Sequence, residues 1–175
     1  ISVFRNYIHN NGDGISLSSE STVRTMTGIN IYNNLICNNN RGIYITTDPF
    51  YKTANIINNV LYHNGFCEIG FYREAQYQIN CVVRNNIIIS DGSTAYRYLI
   101  YYPDYANGGV TIDHNLLYDS AGYYNIENKL GTSFLKADPL FVNASTLNFH
   151  LQSNSPAINA GSSVGAPDAD YEGNA

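Results

Sequence analysis

The sequence has no tryptophan, a single methionine and only 9 Lys or Arg among 175 residues. Its 14 Asp and Glu bring the formal net charge to -5, so the basic footprint of a nucleic-acid or anionic-membrane partner is missing. No apolar run approaches the roughly 18 residues of a spanning helix, and no basic, apolar and small-residue series marks a secretion signal. Export would depend on a signal outside this chain. Cysteine is scarce and odd in number: Cys37, Cys67 and Cys81 cannot form a complete disulfide framework. Cys81 falls in an apolar column and reads as core, while spacing leaves a Cys37 to Cys67 pair open. No Cys-x-x-Cys or His-x-His spacing occurs and the histidines are scattered, so a zinc site is not expected.

What the chain has instead is asparagine, together with 16 Tyr. Asparagine is a poor helix former because its amide competes for the local backbone, and it tolerates the left-handed region that tight corners need. Strands and turns are therefore expected. The opening phrase "ISVFRNYIHNNGDGISL" returns as "INIYNNLICNNNRGIYI", "ANIINNVLYHNG", "CVVRNNIIISDG" and "VTIDHNLLYDS". Alignment puts Asn6, Asn34, Asn59, Asn86 and Asn115 in one column, at steps of 28, 25, 27 and 29 residues.

Three apolar columns flank that asparagine: Ile1, Ile29, Ala54, Cys81, Val110; then Val3, Ile31, Ile56, Val83, Ile112; then Ile8, Ile36, Leu61, Ile88, Leu117. Alternation with period two makes a strand before the Asn and a short one after it. A third strand follows, with Ile15, Ile43, Ile69 and Tyr96 in one inward column and Leu17, Ile45, Phe71 and Tyr98 in the next. Units with three strands and no helix bury their apolar sides only by stacking, each coil pairing in parallel with the next. The expected fold is an all-β, right-handed parallel β-helix solenoid of about five coils over residues 1–126. A loop-rich segment, 127–175, should pack on the last coil. Asn at each corner should bond its amide to the Asn above and below.

The motif "NN-apolar-apolar" followed by "NNN-x-GI" resembles the repeats of the pectate-lyase-like β-helix superfamily, over residues 1 to about 126. The tail, with "ADPLF", "NFHL", "SPA" and "DYEG", is similar to the closing segment of many secreted bacterial β-helix proteins. The resemblance implies a secreted, carbohydrate-active protein, extracellular or at the cell surface, of which this chain would be the C-terminal portion. Its first coil would be covered by N-terminal coils of the same protein or by another chain, since an open strand edge is normally protected. "NGDG" at Asn11 to Gly14 is similar to a polygalacturonase motif, but the second acid pair and the His and Arg motifs of that family are missing. "TTDPFYK" is similar to an alginate epimerase motif, with Phe50 where the proton-moving His would stand.

The candidate site comes from the outward residues of the third strand. Counting along the repeats aligns Ser16, Tyr44, Gly70 and Arg97; then Ser18, Thr46, Tyr72 and Leu99; then Glu20, Asp48, Glu74 and Tyr101. Three successive coils thus place a carboxylate on one rung. At a strand spacing of about 4.8 Å, Asp48 and Glu74 would stand near the roughly 5 to 5.5 Å that a retaining glycosidase needs. Like-charge repulsion would raise one pKa, as a general acid requires. Asp48, Glu74 and Glu20 are the candidate catalytic residues, and Tyr44, Tyr72, Arg73, Arg97 and Tyr101 the candidate substrate contacts, because flat phenols stack on sugar faces. Solvated strand ends are the plain alternative. Calcium, which carboxylates and carbonyls would suit, is a third; no other cofactor is expected. The readings carried forward are a glycoside hydrolase, next a polysaccharide lyase, and against both a non-catalytic carbohydrate-binding or surface β-helix.

Overall fold

A computed structural model describes residues 1–18, 25–46, 52–72, 79–90, 98–102, 109–120 and 133–174. The chain is all-β, and among the described residues the single helical turn is the 3-10 turn Ala144–Thr146. The first coil holds β1 (Ser2–Phe4), β2 (Tyr7–His9) and β3 (Asp13–Leu17); the second holds β4 (Met26–Tyr32), β5 (Leu35–Cys37) and β6 (Arg41–Thr46). The third holds β7 (Lys52–Ile57), β8 (Val60–Tyr62) and β9 (Cys67–Tyr72); the fourth holds β10 (Ile79–Arg84), β11 (Ile87–Ser90) and β12 (Tyr98–Tyr101). A fifth coil contributes β13 (Gly109–Asp113) and β14 (Leu116–Asp119), and β15 (Leu135–Lys136) adds one more rung to the second sheet. Among the described residues, four complete coils and two strands of a fifth therefore stand where about five coils were expected. The sheets run β1-β4-β7-β10-β13, β2-β5-β8-β11-β14-β15 and β3-β6-β9-β12, all parallel.

The asparagine column is a continuous ladder. Each Nδ2 donates to the next Oδ1 at 3.0 Å, from Asn6 through Asn34, Asn59 and Asn86 to Asn115. The same Oδ1 also accepts the backbone N–H of the Asn one coil earlier, at 2.9 to 3.1 Å. The corner can turn because the residue before each ladder Asn sits in the left-handed region: Arg5, Asn33, Asn58, Asn85 and His114, with φ from 52 to 57°. Most side chains resist that region and asparagine tolerates it. The doublets "RN", "NN" and "HN" in the repeats are thus one corner residue and one ladder residue.

A second ladder, not anticipated from the sequence, closes the other corner. Asn11 donates to Asn39 at 3.1 Å and Asn39 to Asn64 at 3.0 Å, and Asn64 ends on the buried carboxylate of Glu68, which accepts its Nδ2 at 2.5 Å and its N–H at 2.9 Å. Gly14 and Gly42 leave the interior space this ladder uses: a methyl on Gly42 would strike the backbone oxygen of Glu68 and lie 3.0 Å from Asn64 Nδ2. In the third coil that interior position is filled by Glu68 itself, paired to Gly42 across the sheet.

Between the ladders the core is the set of inward columns. Ile31, Ile56, Ile36, Leu61, Ile43, Ile69, Ile45 and Phe71 are all within 1% of full burial, and each such side chain contributes roughly 1.5–3 kcal/mol. Cys81 lies in that core at 1% exposure, and all three thiols are buried and unpaired with each other, so Cys37 and Cys67 form no disulfide. Lys52 is also wholly buried, donating to the carbonyls of Leu17, at 3.1 Å, and of Thr46.

The C-terminal segment begins on the last coil, where β15 pairs with β14 and Phe134 packs against the core. It does not stay there. An antiparallel hairpin, β16 (Phe141–Asn143) with β17 (Asn148–Leu151), lies on the outer side of the second sheet, with the Phe149 ring 5.2 Å from that of Tyr62 on the third coil. The chain then runs back along the first corner. Asn85 of the fourth coil exchanges two bonds with Ser162, Asn33 of the second donates to Ala169 O at 2.6 Å, and Arg5 of the first reaches Asp170 O at 3.3 Å. The "DYEG" motif is the turn that ends this strap: Asp170 Oδ1 accepts the N–H groups of Gly173, at φ 97°, and Asn174.

Candidate functional site

The outer face of the third sheet carries the expected aromatics, in a different register. Ser16, Tyr44 and Gly70 share a column as counted, and Thr46 pairs with Tyr72. In the fourth coil Ile100 pairs with Ile69 and Tyr101 with Gly70, so β12 is shifted by four residues from the count that put Tyr96 opposite Ile69. The cause is the longer stretch between β11 and β12, which breaks the repeat. Tyr101 therefore joins the Tyr44 column and does not stand on the carboxylate rung. Tyr102, next along the strand, turns inward to 3% exposure, edge-on to Phe71 at 5.6 Å.

Tyr101 forms a cluster with Phe66 and Tyr98, the three ring centroids 4.9 to 5.5 Å apart. Beside it, Tyr44 and Tyr72 lie 6.4 Å apart. Tyr44 is only 7% exposed, because Arg41 covers its ring at 3.7 Å and the missing side chain at Gly70 lets the ring lie close to the sheet. Burial raises the Tyr44 pKa, so the phenol stays protonated. Tyr72, at 49% exposure, and Phe66, at 37%, present the open ring surface of this face.

Arg41 is held from below by Asp13, through Nε at 2.5 Å and Nη2 at 2.9 Å. Burial alone would lower its pKa, and the bond to Asp13 outweighs it. The two described carboxylates of this sheet are therefore both engaged, Asp13 by Arg41 and Glu68 by the second ladder. Asp48, Glu74, Glu20, Arg73 and Arg97 lie outside the described residues. What the structure gives of their setting is the position from which the chain departs: β6 ends at Thr46 and β9 at Tyr72, which are paired neighbours, two residues before Asp48 and Glu74. Among the described residues no group of three His, Cys, Asp or Glu is arranged to hold a metal ion.

A second concave surface was missed in the sequence. The strap spans the outer face of the first sheet and encloses a groove of about 500 Å³ with it. The floor is built from outward side chains of four successive coils, among them Phe4, Asn30, Tyr32, Asn55 and Arg84; the wall is Gly165, Pro167, Asp168 and Ala169. Phe4 and Tyr32 stack with ring centroids 5.0 Å apart and 2° between planes, and Asn55 Nδ2 donates to Asn30 Oδ1 at 2.9 Å. Arg84 braces the far end, gripping Asp113 at 2.5 and 2.6 Å and donating to Val164 O of the strap at 3.1 Å. That grip, with His114 assisting at 3.2 Å, holds the Asp113 carboxyl below the usual range.

No curated protein and no solved structure matches the chain. A family model described as disaggregatase related matches residues 72–170, from the end of β9 through the fourth and fifth coils to the strap. That is more than half of the sequence, and this parallel β-helix belongs to the disaggregatase-related family.

Proposed function

We propose that the chain is part of a carbohydrate-active β-helix protein that degrades a polysaccharide outside the cell, by glycoside hydrolysis in the first place and by lyase chemistry in the second. The observation that carries this reading is the outer face of the third sheet. Exposed Tyr72 and Phe66 offer ring surface to a sugar, and the chain leaves the sheet at the paired positions Thr46 and Tyr72 toward Asp48 and Glu74. Neighbouring strands are about 4.8 Å apart, a separation close to that of a retaining acid and nucleophile pair. Asp48 would be the nucleophile and Glu74 the acid/base, with Glu20 one coil further off, Arg73 next to Glu74 in the chain, and Tyr44 acting through Arg41; Arg97 drops out of this set, because it directly precedes Tyr98, whose partner Cys67 opens β9 at the other end of the strand. The resemblance to pectate-lyase-like repeats and a family name that refers to disaggregation both agree with action on a matrix polymer.

The engagement of Asp13 and Glu68 favours a second reading. Without Asp48 and Glu74 the same face has no free described carboxylate and is a binding surface only. Incubation of the protein with plant, algal and microbial polysaccharides separates the readings: new reducing ends mean hydrolysis, absorbance from an unsaturated uronate means lyase action, and retention without products means binding. Asp48→Asn and Glu74→Gln should each remove hydrolysis by several orders of magnitude at unchanged melting temperature. Near-normal turnover in both would sink the assignment.

A further inference from the structure

The groove beneath the strap is not explained by the third-sheet face, because it belongs to a different sheet. We infer that it is a separate glycan-binding site, which holds a short stretch of an oligosaccharide across the first four coils. This rests on the reading that the protein acts on carbohydrate, but not on whether it is catalytic.

Size and chemistry argue for this occupant. A groove of about 500 Å³ falls within the roughly 300–1,000 Å³ of small-molecule clefts. Its floor crosses three strand spacings, about 15 Å, a length suited to a linear ligand. The stacked Phe4 and Tyr32 bring apolar ring surface to one end, with Phe4 45% exposed. Past them come the Asn30 and Asn55 amides, whose mutual bond leaves Asn30 Nδ2 and Asn55 Oδ1 as one donor and one acceptor for a ligand. Arg5 makes no ion pair among the described residues and spends only Nε on the strap, so its two Nη groups remain for ligand hydroxyls or a carboxylate. Asp168 on the strap wall likewise has no partner among the described residues, and a carboxylate, a guanidinium and two amides lining one groove are a set of groups that a polyhydroxylated chain satisfies.

Two other linear ligands fit less well. An extended peptide binds a sheet by adding to an edge, whereas the floor here is the outer face of a sheet in which β4, β7 and β10 are each paired on both sides. A nucleic acid would meet a chain of net charge -5.

The test is an array of neutral and uronate-bearing oligosaccharides of three to six residues, probed with the wild-type protein and with Asn30→Ala/Asn55→Ala. These side chains point outward, so the double variant leaves the core intact, and Phe4→Leu provides a second variant at the other end. Binding of at least one array member, weakened at least about tenfold by each variant at unchanged melting temperature, is the expected result. Neutral and uronate arms tell whether Arg5 faces hydroxyls or a carboxylate. The Asp48→Asn/Glu74→Gln protein should keep this binding. If products form but no array member depends on Asn30, Asn55 and Phe4, the groove site is refuted while the catalytic reading stands. If groove binding is found and no polysaccharide is cleaved, the catalytic reading falls and the groove stands. No binding at all refutes the groove.

Discussion

Replacing Asn59 by leucine tests whether the asparagine ladder holds the coils together or merely decorates their corner. Asn59 is 1% exposed. Its Nδ2 donates to Ile31 O at 2.9 Å, Ile57 O at 3.2 Å and Asn86 Oδ1 at 3.0 Å, and its Oδ1 accepts the N–H and Nδ2 of Asn34, both at 3.0 Å. Leucine fits the volume and makes none of these bonds. The side-chain amide of Asn34, one coil earlier, can still reach Val3 O and Tyr32 O, but its backbone N–H is left without an acceptor and Ile31 O loses one donor. One orphaned buried N–H at about 1–3 kcal/mol, with the bonds lost to Ile31 O, Ile57 O and Asn86 Oδ1 at about 0.5–1.5 kcal/mol each and partly offset by leucine burial, gives a net loss of about 2–4 kcal/mol. For a chain of this size the melting temperature should fall by about 5–15 °C. Asn6 is the internal control, because it is exposed and its Oδ1 accepts no bond among the described residues; Asn6→Leu should lose no more than about 1 kcal/mol. Thermal melts followed by circular dichroism at the β-sheet minimum compare the two. Equal melting temperatures would refute the view that the ladder's interior bonds carry stability.

Gly42→Ala should destabilise by about 1–3 kcal/mol, because the methyl meets the Glu68 backbone, while Gly12→Ala, with nothing within 4 Å of the added carbon, should be near neutral; denaturant midpoints decide. The Arg84 bond lowers the Asp113 pKa from 3.8, so its stabilising contribution is complete above the unfolded value and lost as pH falls through the folded one. Asp113→Asn should therefore be less stable than wild type at pH 7, with the difference shrinking between about pH 4 and pH 2; urea midpoints that keep a constant gap would contradict this. Burial pushes the Cys81 thiol up to about 11, and Cys67 also upward; a thiol reagent at pH 8 should label none of the three cysteines in the folded protein and all of them in denaturant. Labelling of native Cys81 would mean the core is open.

The repeat was legible because burial imposes a strict choice of residue at the inward positions. Val3, Ile31, Ile56, Val83 and Ile112 align in space as they align in sequence, and a polar residue held among them had to be satisfied by its own kind. The second ladder was obscured because its last member is Glu68, which enters from a strand and not from the loop that supplies Asn11, Asn39 and Asn64. The third sheet was counted correctly as far as a constant coil length held. It failed at Tyr98 to Tyr102, where the segment between strands lengthens and nothing in a Tyr-rich stretch fixes which rings turn inward. The groove had no signature at all, since it needs two parts 80 residues apart in sequence, Arg84 and Val164, to meet.

That meeting alters how the molecule should come apart. A bare stack of coils behaves as a one-dimensional chain of neighbours, in which an end unit can fray at the expense of one interface. Here the residues that bond the first coil at Arg5 are continuous with those that bond the fourth at Asn85. Opening either end therefore loosens a tether that the other end shares, and local losses become collective ones. Removal of residues 161–174 should separate a single transition into a graded one, with hydrogen exchange in β1 and β2 accelerating well before exchange in β7 and β8.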